Sequence, residues 1–415
     1  MATESVAWPV EALRASDAPE PELSIVIPAY NEERGIVATV ERTLAALSGI
    51  SAAGPVQGIE VIVVDDGSTD RTAELVTTLP GARLIRHPRN RGYGAALKTG
   101  FAAARGQWLA FMDGDGTCDP AAFGALCRAL RERSADLVIG TRLGEGSRMP
   151  GIRRFGNRFY AQVVRLWAQR QVTDVASGMR VMRRSAYDAL EPLLPDGLHF
   201  TPAMSCRALL DDRLAVAEVA IPYIERIGQS KLRVLEDGWR FLRTIVEIAV
   251  LHRPWRLFGL AGAALLAMAA VVALWAAWSS VSRPLGDWLA FRMTVIMASA
   301  SAGLALVTTG VEAQRLVDGA LGRPALTGRG GKLLSLVLHC ERHGMLYGLA
   351  LAVVAITVLW VKPVQEYLAH HHLANTWPWF LFGGILGLTA VQLAALGILG
   401  FVVNGLAREG RGRAQ

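Results

Sequence analysis

LSIVIPAYNEE (residues 23–33) and EVIVVDDGSTD (residues 60–70) each pass from a short, unbroken apolar run into a loop of acids and small polar residues. Runs of this length with no polar alternation fit strands covered on both faces. Helical spacing follows each, over 34–47 and 72–79. The alternation continues with LIRHP (84–88) as a strand, 94–105 as a helix, QWLAFMDGD (107–115) as a strand, 120–133 as a helix and DLVIGTR (136–142) as a fifth strand. This order predicts an α/β domain with a mainly parallel sheet, whose ligands bind at the carboxyl ends of the strands. The acid-rich loops stand at those ends.

Composition adds a second part. At roughly 150 residues per domain, the 415 residues make two to three units. A hydrophobic content of 52% and a mean hydropathy of +0.31 exclude a purely soluble enzyme. Charged residues gather before position 257, and the remainder holds apolar runs long enough for a bilayer core of about 30 Å. After a polar lead (1–22) without a signal-peptide core, we expect a catalytic head (23–231), an amphipathic interfacial helix (232–256), a transmembrane domain (257–404) and a basic tail (405–415). In the interfacial helix Leu232, Leu235, Trp239, Leu242, Val246 and Ala249 recur at steps of three and four between charged residues. The spans read as 257–280, 294–311, 345–361 and 377–403, the third short enough to be a buried or re-entrant helix. Arg315, Arg323, Arg329, Lys332 and Arg342 crowd the loop between spans two and three, and Arg408, Arg411 and Arg413 the tail. The positive-inside rule therefore places head, middle loop and tail in the cytoplasm, in a multi-pass inner (cytoplasmic) membrane protein. Arg292 snorkels to the outer interface, and Trp275, Trp278, Trp288, Trp377 and Trp379 form interfacial belts.

The net charge of +7 suits lipid headgroups and phosphate ligands better than nucleic acid, because the basic residues are mostly arginines near turns and spans. Cys118, Cys127, Cys206 and Cys340 show no metal or disulfide spacing and read as reduced thiols. His339 with His343, and the run His370 to His372, lack a ligand partner and read as solvated juxtamembrane residues.

Asp113 and Asp115, two apart at the end of an apolar strand, point to the same side in an extended chain. Two hard oxygen donors make half a site for Mg²⁺ or Mn²⁺ shared with substrate phosphates; the bland alternative is a polar turn. The EF-hand reading of DGDGTCD fails, since Cys118 takes the glycine position and Gly124 the closing glutamate position. Asp65 and Asp66 end a strand and can accept hydrogen bonds from a base or ribose, while Ser68, Thr69 or Asp70 cap the next helix. NRGYGAALKTG matches neither a Walker loop nor a dinucleotide fingerprint. It reads as a tight loop at Gly92 and Gly94 before a helix, with Lys98 as a candidate phosphate contact.

Taken together, SIVIPAYNEE, VIVVDDGSTD, NRGYGAALKTGF, MDGDG, VIGTR, DVASGMR and ERIGQSKL resemble, in order, the family 2 glycosyltransferases of GT-A (Rossmann-like) fold. Within these they look most like the polyprenyl-phosphate or dolichyl-phosphate hexosyltransferases. The resemblance covers residues 23–250 and implies an inverting, metal-dependent hexosyltransferase, with a nucleoside-diphosphate sugar of GDP-mannose or UDP-glucose type as donor and a polyprenyl phosphate at the bilayer as acceptor. It implies that Pro28, Tyr30, Glu32 and Asp66 hold the nucleotide and that Asp113 and Asp115 hold the metal and diphosphate. Asp174 becomes the base or orienting carboxylate for the acceptor phosphate. Arg142, Arg153, Arg226, Ser230 and Lys231 contact the donor diphosphate or the acceptor phosphate. Arginine's planar fork suits that work, as in GSRMPGIRRFGNR.

In two places the chain departs from the pattern: Thr117 stands where many relatives carry a metal-binding glutamine, and Ala203 where many carry an acid. Two rival functions remain, a processive polysaccharide synthase, whose QxxRW motif is missing, and a catalytically silent nucleotide-sugar sensor or scaffold. Homo-oligomer formation is left open.

Overall fold

The computed structural model describes residues 20–143, 149, 151–168, 170–224, 234–280 and 287–320, together with most of 343–368 and all of 382–395. The chain divides into two compact units, Met1–Ala249 and Val250–Gln415.

In the first unit the expected strands form: β1 (Leu23–Ala29), β2 (Ile59–Asp65), β3 (Ala82–Arg86), β4 (Trp108–Met112) and β5 (Leu137–Thr141). The helices between them are α1 (Ile36–Ala53), α2 (Thr72–Thr77), α3 (Tyr93–Ala103) and α4 (Ala122–Glu132). Their apolar runs are unbroken because each strand feeds two cores. Leu23, Ile25 and Ile27 of β1 pack with α1 and α4 on one face. Val26 faces the other core with residues of α3 and of α7 (Phe200–Leu210).

The sheet order is β3-β2-β1-β4-β6-β5-β7, adding β6 (Met179–Arg183) and β7 (Val216–Ala220) to the expected strands. It is mainly parallel, as expected, but mixed, because β6 runs antiparallel to both β4 and β5. The reason lies in the chain between β5 and β6. After β5 it enters α5 (Gly151–Ala168) and returns to the same end of the sheet, where the Thr141 and Thr173 hydroxyls meet at 2.8 Å. It must therefore enter β6 from the carboxyl ends of its neighbours. α6 (Arg184–Leu190) follows, and α8 (Val234–His252) is the expected amphipathic helix.

The second unit is helical. Among the described residues three helices are long and apolar enough to cross a membrane: α1, α9 (Pro254–Ser280) and α10 (Asp287–Ala320). α1 is a layer of the α/β unit, with Ile36, Val40 and Ile50 buried. α9 and α10 touch through glycines, since a Cβ on Gly262 would meet the Gly303 carbonyl at 2.6 Å and the reverse at 2.8 Å. α10 has 34 residues, outrunning the expected 294–311. Arg292 stands 4.2 Å over the Trp275 ring, a cation–π contact. At the third and fourth expected spans the described residues form shorter apolar helices, Leu346–Leu359 and Phe382–Ala395, which do not reach spanning length. Cys118, Cys127 and Cys206 are free, buried thiols; Cys340 and His370 to His372 lie outside the described residues.

Candidate active site

Four strands deliver their next residues to one place: Tyr30 after β1, Asp66 after β2, Asp113 after β4 and Arg142 after β5 all line a cavity of about 660 Å³. Pro28, Glu32 and Asp115 line it too. The structure thus gathers the expected nucleotide residues other than Lys98, both expected metal residues and Arg142.

On the β1–β2 side the loops are tied to one another. The Asn31 amide donates to Ser68 Oγ at 2.8 Å, Thr69 N donates to Asn31 Oδ1 at 2.8 Å, and Glu32 N donates to Thr72 Oγ1 at 2.8 Å. Ser68 and Thr69 therefore brace the 31–32 loop, and Asp70 takes the Thr72 amide at 3.0 Å. Asp66 is almost wholly buried, receiving Arg91 N at 2.9 Å, Gly92 N at 2.8 Å and His87 Nδ1 at 2.7 Å. It shapes the 87–92 loop, of which Asn90 and Gly92 line the cavity. Gly92 has φ 108°, and a Cβ there would also strike the Asp196 carbonyl at 2.5 Å, so the tight loop before α3 needs glycine. Lys98 does not line the cavity: its ammonium donates to Leu194 O at 2.6 Å and pairs with Asp196 at 2.9 Å.

At the centre, Asp113 Oδ1 accepts the Tyr93 hydroxyl at 2.7 Å. Burial, then the Asp113 charge, pushes the Tyr93 pKa far up, so this hydroxyl remains a donor. The antiparallel register sets Met112 beside Met179, bringing Gly178 against Asp113. A Cβ on Gly178 would overlap the Asp113 carboxylate. Asp115 Oδ1 accepts the Thr117 hydroxyl at 2.7 Å and its amide at 3.1 Å. Thr117, at the position of the expected third ligand, thus orients Asp115. Burial, with Asp113 and Asp115 nearby, lifts the Cys118 thiol to about 12, so it stays protonated.

Among the described residues no three His, Cys, Asp or Glu side chains form a group that could hold a metal ion by themselves. The expected donors are the two carboxylates Asp113 and Asp115, which both line the cavity. That fits a hard divalent cation completing its shell with substrate oxygens, and does not make a protein cage.

Asp174 is fully buried. Arg142 grips it with Nε at 2.8 Å and Nη2 at 2.9 Å, and Asn157 Nδ2 donates at 2.6 Å. Burial opposes its charge, but the Arg142 guanidinium and these hydrogen bonds win and hold the carboxyl below its ordinary value. The same pairing raises Arg142 against its own burial. Asp174 is not among the residues that line the cavity; what it holds is Arg142, which also donates to Ala176 O at 3.0 Å. Beneath, fully buried Arg180 donates to Ser177 O at 3.1 Å and Val175 O at 3.0 Å. Burial lowers its pKa to about 10, leaving it charged at neutral pH.

Arg153 lies on α5, but its side chain, like Arg226, Ser230 and Lys231, falls outside the described residues. Tyr93, Asn157 and Gly178 were not singled out from the sequence. Asn157 carried one signal, as a poor helix former inside the amphipathic α5.

A family model described as Glycosyl transferase family 2 matches residues 24–191. The low-salt glycan biosynthesis hexosyltransferase of Haloferax volcanii is 33% identical over 250 residues, covering 59% of this chain and 57% of that protein. The chain thus spans little more than half of that relative's length. The dolichyl-phosphate hexose transferase of the same organism is 30% identical over 236 residues, covering 56% of this chain and 96% of that protein. Among solved structures, glucosyl-3-phosphoglycerate synthase from Mycobacterium tuberculosis, in complex with Mn²⁺, UDP and its product, is similar at 23% identity and a TM-score of 0.43, covering 58% of this chain and 81% of that one.

Proposed function

This chain belongs to glycosyl transferase family 2, and on that premise we propose that it transfers one hexose from a nucleoside-diphosphate sugar to a polyprenyl phosphate at a membrane surface, with inversion. The observation that carries the reading is one cavity that joins a carboxylate pair, a carboxylate-gripped arginine and aromatic side chains. Asp113, Asp115 and Arg142 line it together with Tyr160 of α5 and Phe241 of α8. The same two helices expose Phe155 and Phe159 on α5 and Trp239 on α8. Apolar side chains on elements that also line a phosphate-binding cavity suit a lipid whose head is charged and whose tail is not. The names of the relatives agree with such an acceptor.

In the reaction an acceptor phosphate oxygen bonds to the anomeric carbon as the bond from that carbon to the diphosphate oxygen breaks. The phosphate is already anionic near neutral pH, so it needs placing and screening more than deprotonation. Arg142, its Nε and Nη2 held by Asp174, stands at the cavity wall in one fixed orientation. Asp113 and Asp115 would hold Mg²⁺ or Mn²⁺, which would neutralise the diphosphate as a leaving group. Four spans anchor the head on the cytoplasmic face.

The test supplies purified full-length protein with labelled GDP-mannose, UDP-glucose or other nucleotide sugars and undecaprenyl phosphate. A lipid-linked monosaccharide is expected; a polymer would favour a synthase, and bound donor without product a sensor. Asp113→Asn should lower transfer by about 100- to 1000-fold, and full activity in that variant would remove the metal assignment.

A further inference from the structure

We infer that Asn157 reads the donor's sugar: its side-chain oxygen accepts a hydrogen bond from a hydroxyl of the hexose. This rests on the nucleotide-sugar reading above and adds to it a residue that touches the transferred group.

Asn157 lines the cavity and is 5% exposed. Its Nδ2 donates to Asp174 Oδ1 at 2.6 Å. Ionised Asp174 can only accept, so the orientation of the amide is decided by the network, with nitrogen toward Asp174 and oxygen away from it. Among the described residues that oxygen, Oδ1, has no hydrogen-bond partner. A buried acceptor without a donor is uncommon in folded proteins and calls for an explanation; at a residue that lines the cavity, a ligand hydroxyl supplies one.

The chemistry narrows the ligand group. Both substrates bring phosphates, whose oxygens are acceptors and repel an amide oxygen; a sugar hydroxyl can donate. The sheet narrows it further. The expected nucleotide residues Pro28, within β1, Tyr30, after it, and Asp66, after β2, lie on one side of β4. Asn157, with Arg142, Ala176 and Gly178, lines the cavity on the β6–β5 side. A donor with its base on the first side and its diphosphate at Asp113 and Asp115 carries its hexose toward the second.

Full-length protein in detergent with MnCl₂ is titrated calorimetrically with GDP-mannose and UDP-glucose, and with GDP and UDP. For the donor that wild type binds, Asn157→Ala should weaken sugar-nucleotide affinity roughly 3- to 10-fold more than affinity for the sugar-free diphosphate. A loss acting only through Asp174 and Arg142 would lower both equally, and that equal loss overturns the inference. Deoxy-hexose donors make the same test on wild-type protein without relying on a folded variant. One deoxy position should weaken binding and the others should not; no sensitive position overturns the inference. Wild-type protein that binds no sugar nucleotide would instead bring down the reading of the whole site.

Discussion

At the scale of single residues, the site depends on side chains that fix other side chains. Gly178 is the sharpest case, because the antiparallel register leaves no room for a methyl group beside Asp113. Gly178→Ala should displace that carboxylate and lower transfer by about 100-fold; turnover at the wild-type rate would show that Asp113 has slack. Asp174 makes a pH-dependent contribution. Its carboxyl is held below the ordinary value in the folded state, so the pair's stabilisation is complete above about pH 4, the unfolded value, and is lost as pH falls through the folded value. Asp174→Asn leaves Arg142 facing an uncharged partner and should cost about 3–5 kcal/mol at neutral pH. The gap in melting temperature from wild type should narrow below about pH 4; an unchanged gap would count against the ion pair as its source. The sequence motif marked Asp174 as important, but its partner could not be read. Arg142 and Asn157 lie 32 and 17 residues away along the chain, and only the return of α5 to the sheet brings them together.

At the scale of elements, the strands of the α/β unit were legible because their pattern answers to burial on two faces. β6 and β7 were not, for β6 carries Arg180 and Arg183 and β7, VAEVA, carries Glu218 in the middle of its run. Arginine is almost never fully buried unless paired, yet Arg180 is fully buried and answers backbone carbonyls of the 175–177 turn. α5 was read as an arginine-rich phosphate segment. It also presents Phe155 at 74% exposure and Phe159 four residues on, while α8 presents Trp239 at 68%. If these side chains enter a bilayer, each contributes about 1.5–3 kcal/mol. Phe155→Ser with Trp239→Ser should then raise the KM for undecaprenyl phosphate tenfold or more, leaving donor affinity unchanged. Equal KM values in vesicle assays would mean the two rings face water during turnover.

At the scale of the whole molecule, the two units place their apolar side chains differently. The first buries its strands under helices on both faces, whereas α9 and α10 carry apolar side chains outward, among them Leu274, Trp278 and Met293. The proposed orientation has its own test, in a background with the four native cysteines replaced. Ser282→Cys should react with an impermeant maleimide in intact cells, and Ser335→Cys only after permeabilisation. The reverse pattern would turn the protein over in the membrane and separate the head from a cytoplasmic donor.

The amino-acid sequence by itself determined the class of the first unit, the acid-bearing strand ends and the apolar character of the second. Those properties follow from local periodicity and residue chemistry, which neighbours along the chain already contain. Tertiary structure alone decided that β6 runs antiparallel, that Gly178 backs Asp113, and that Asp174 holds Arg142 and Asn157. Each depends on contacts between segments far apart in the chain, where burial of charge and the room for a single methyl group are settled by packing rather than by pattern.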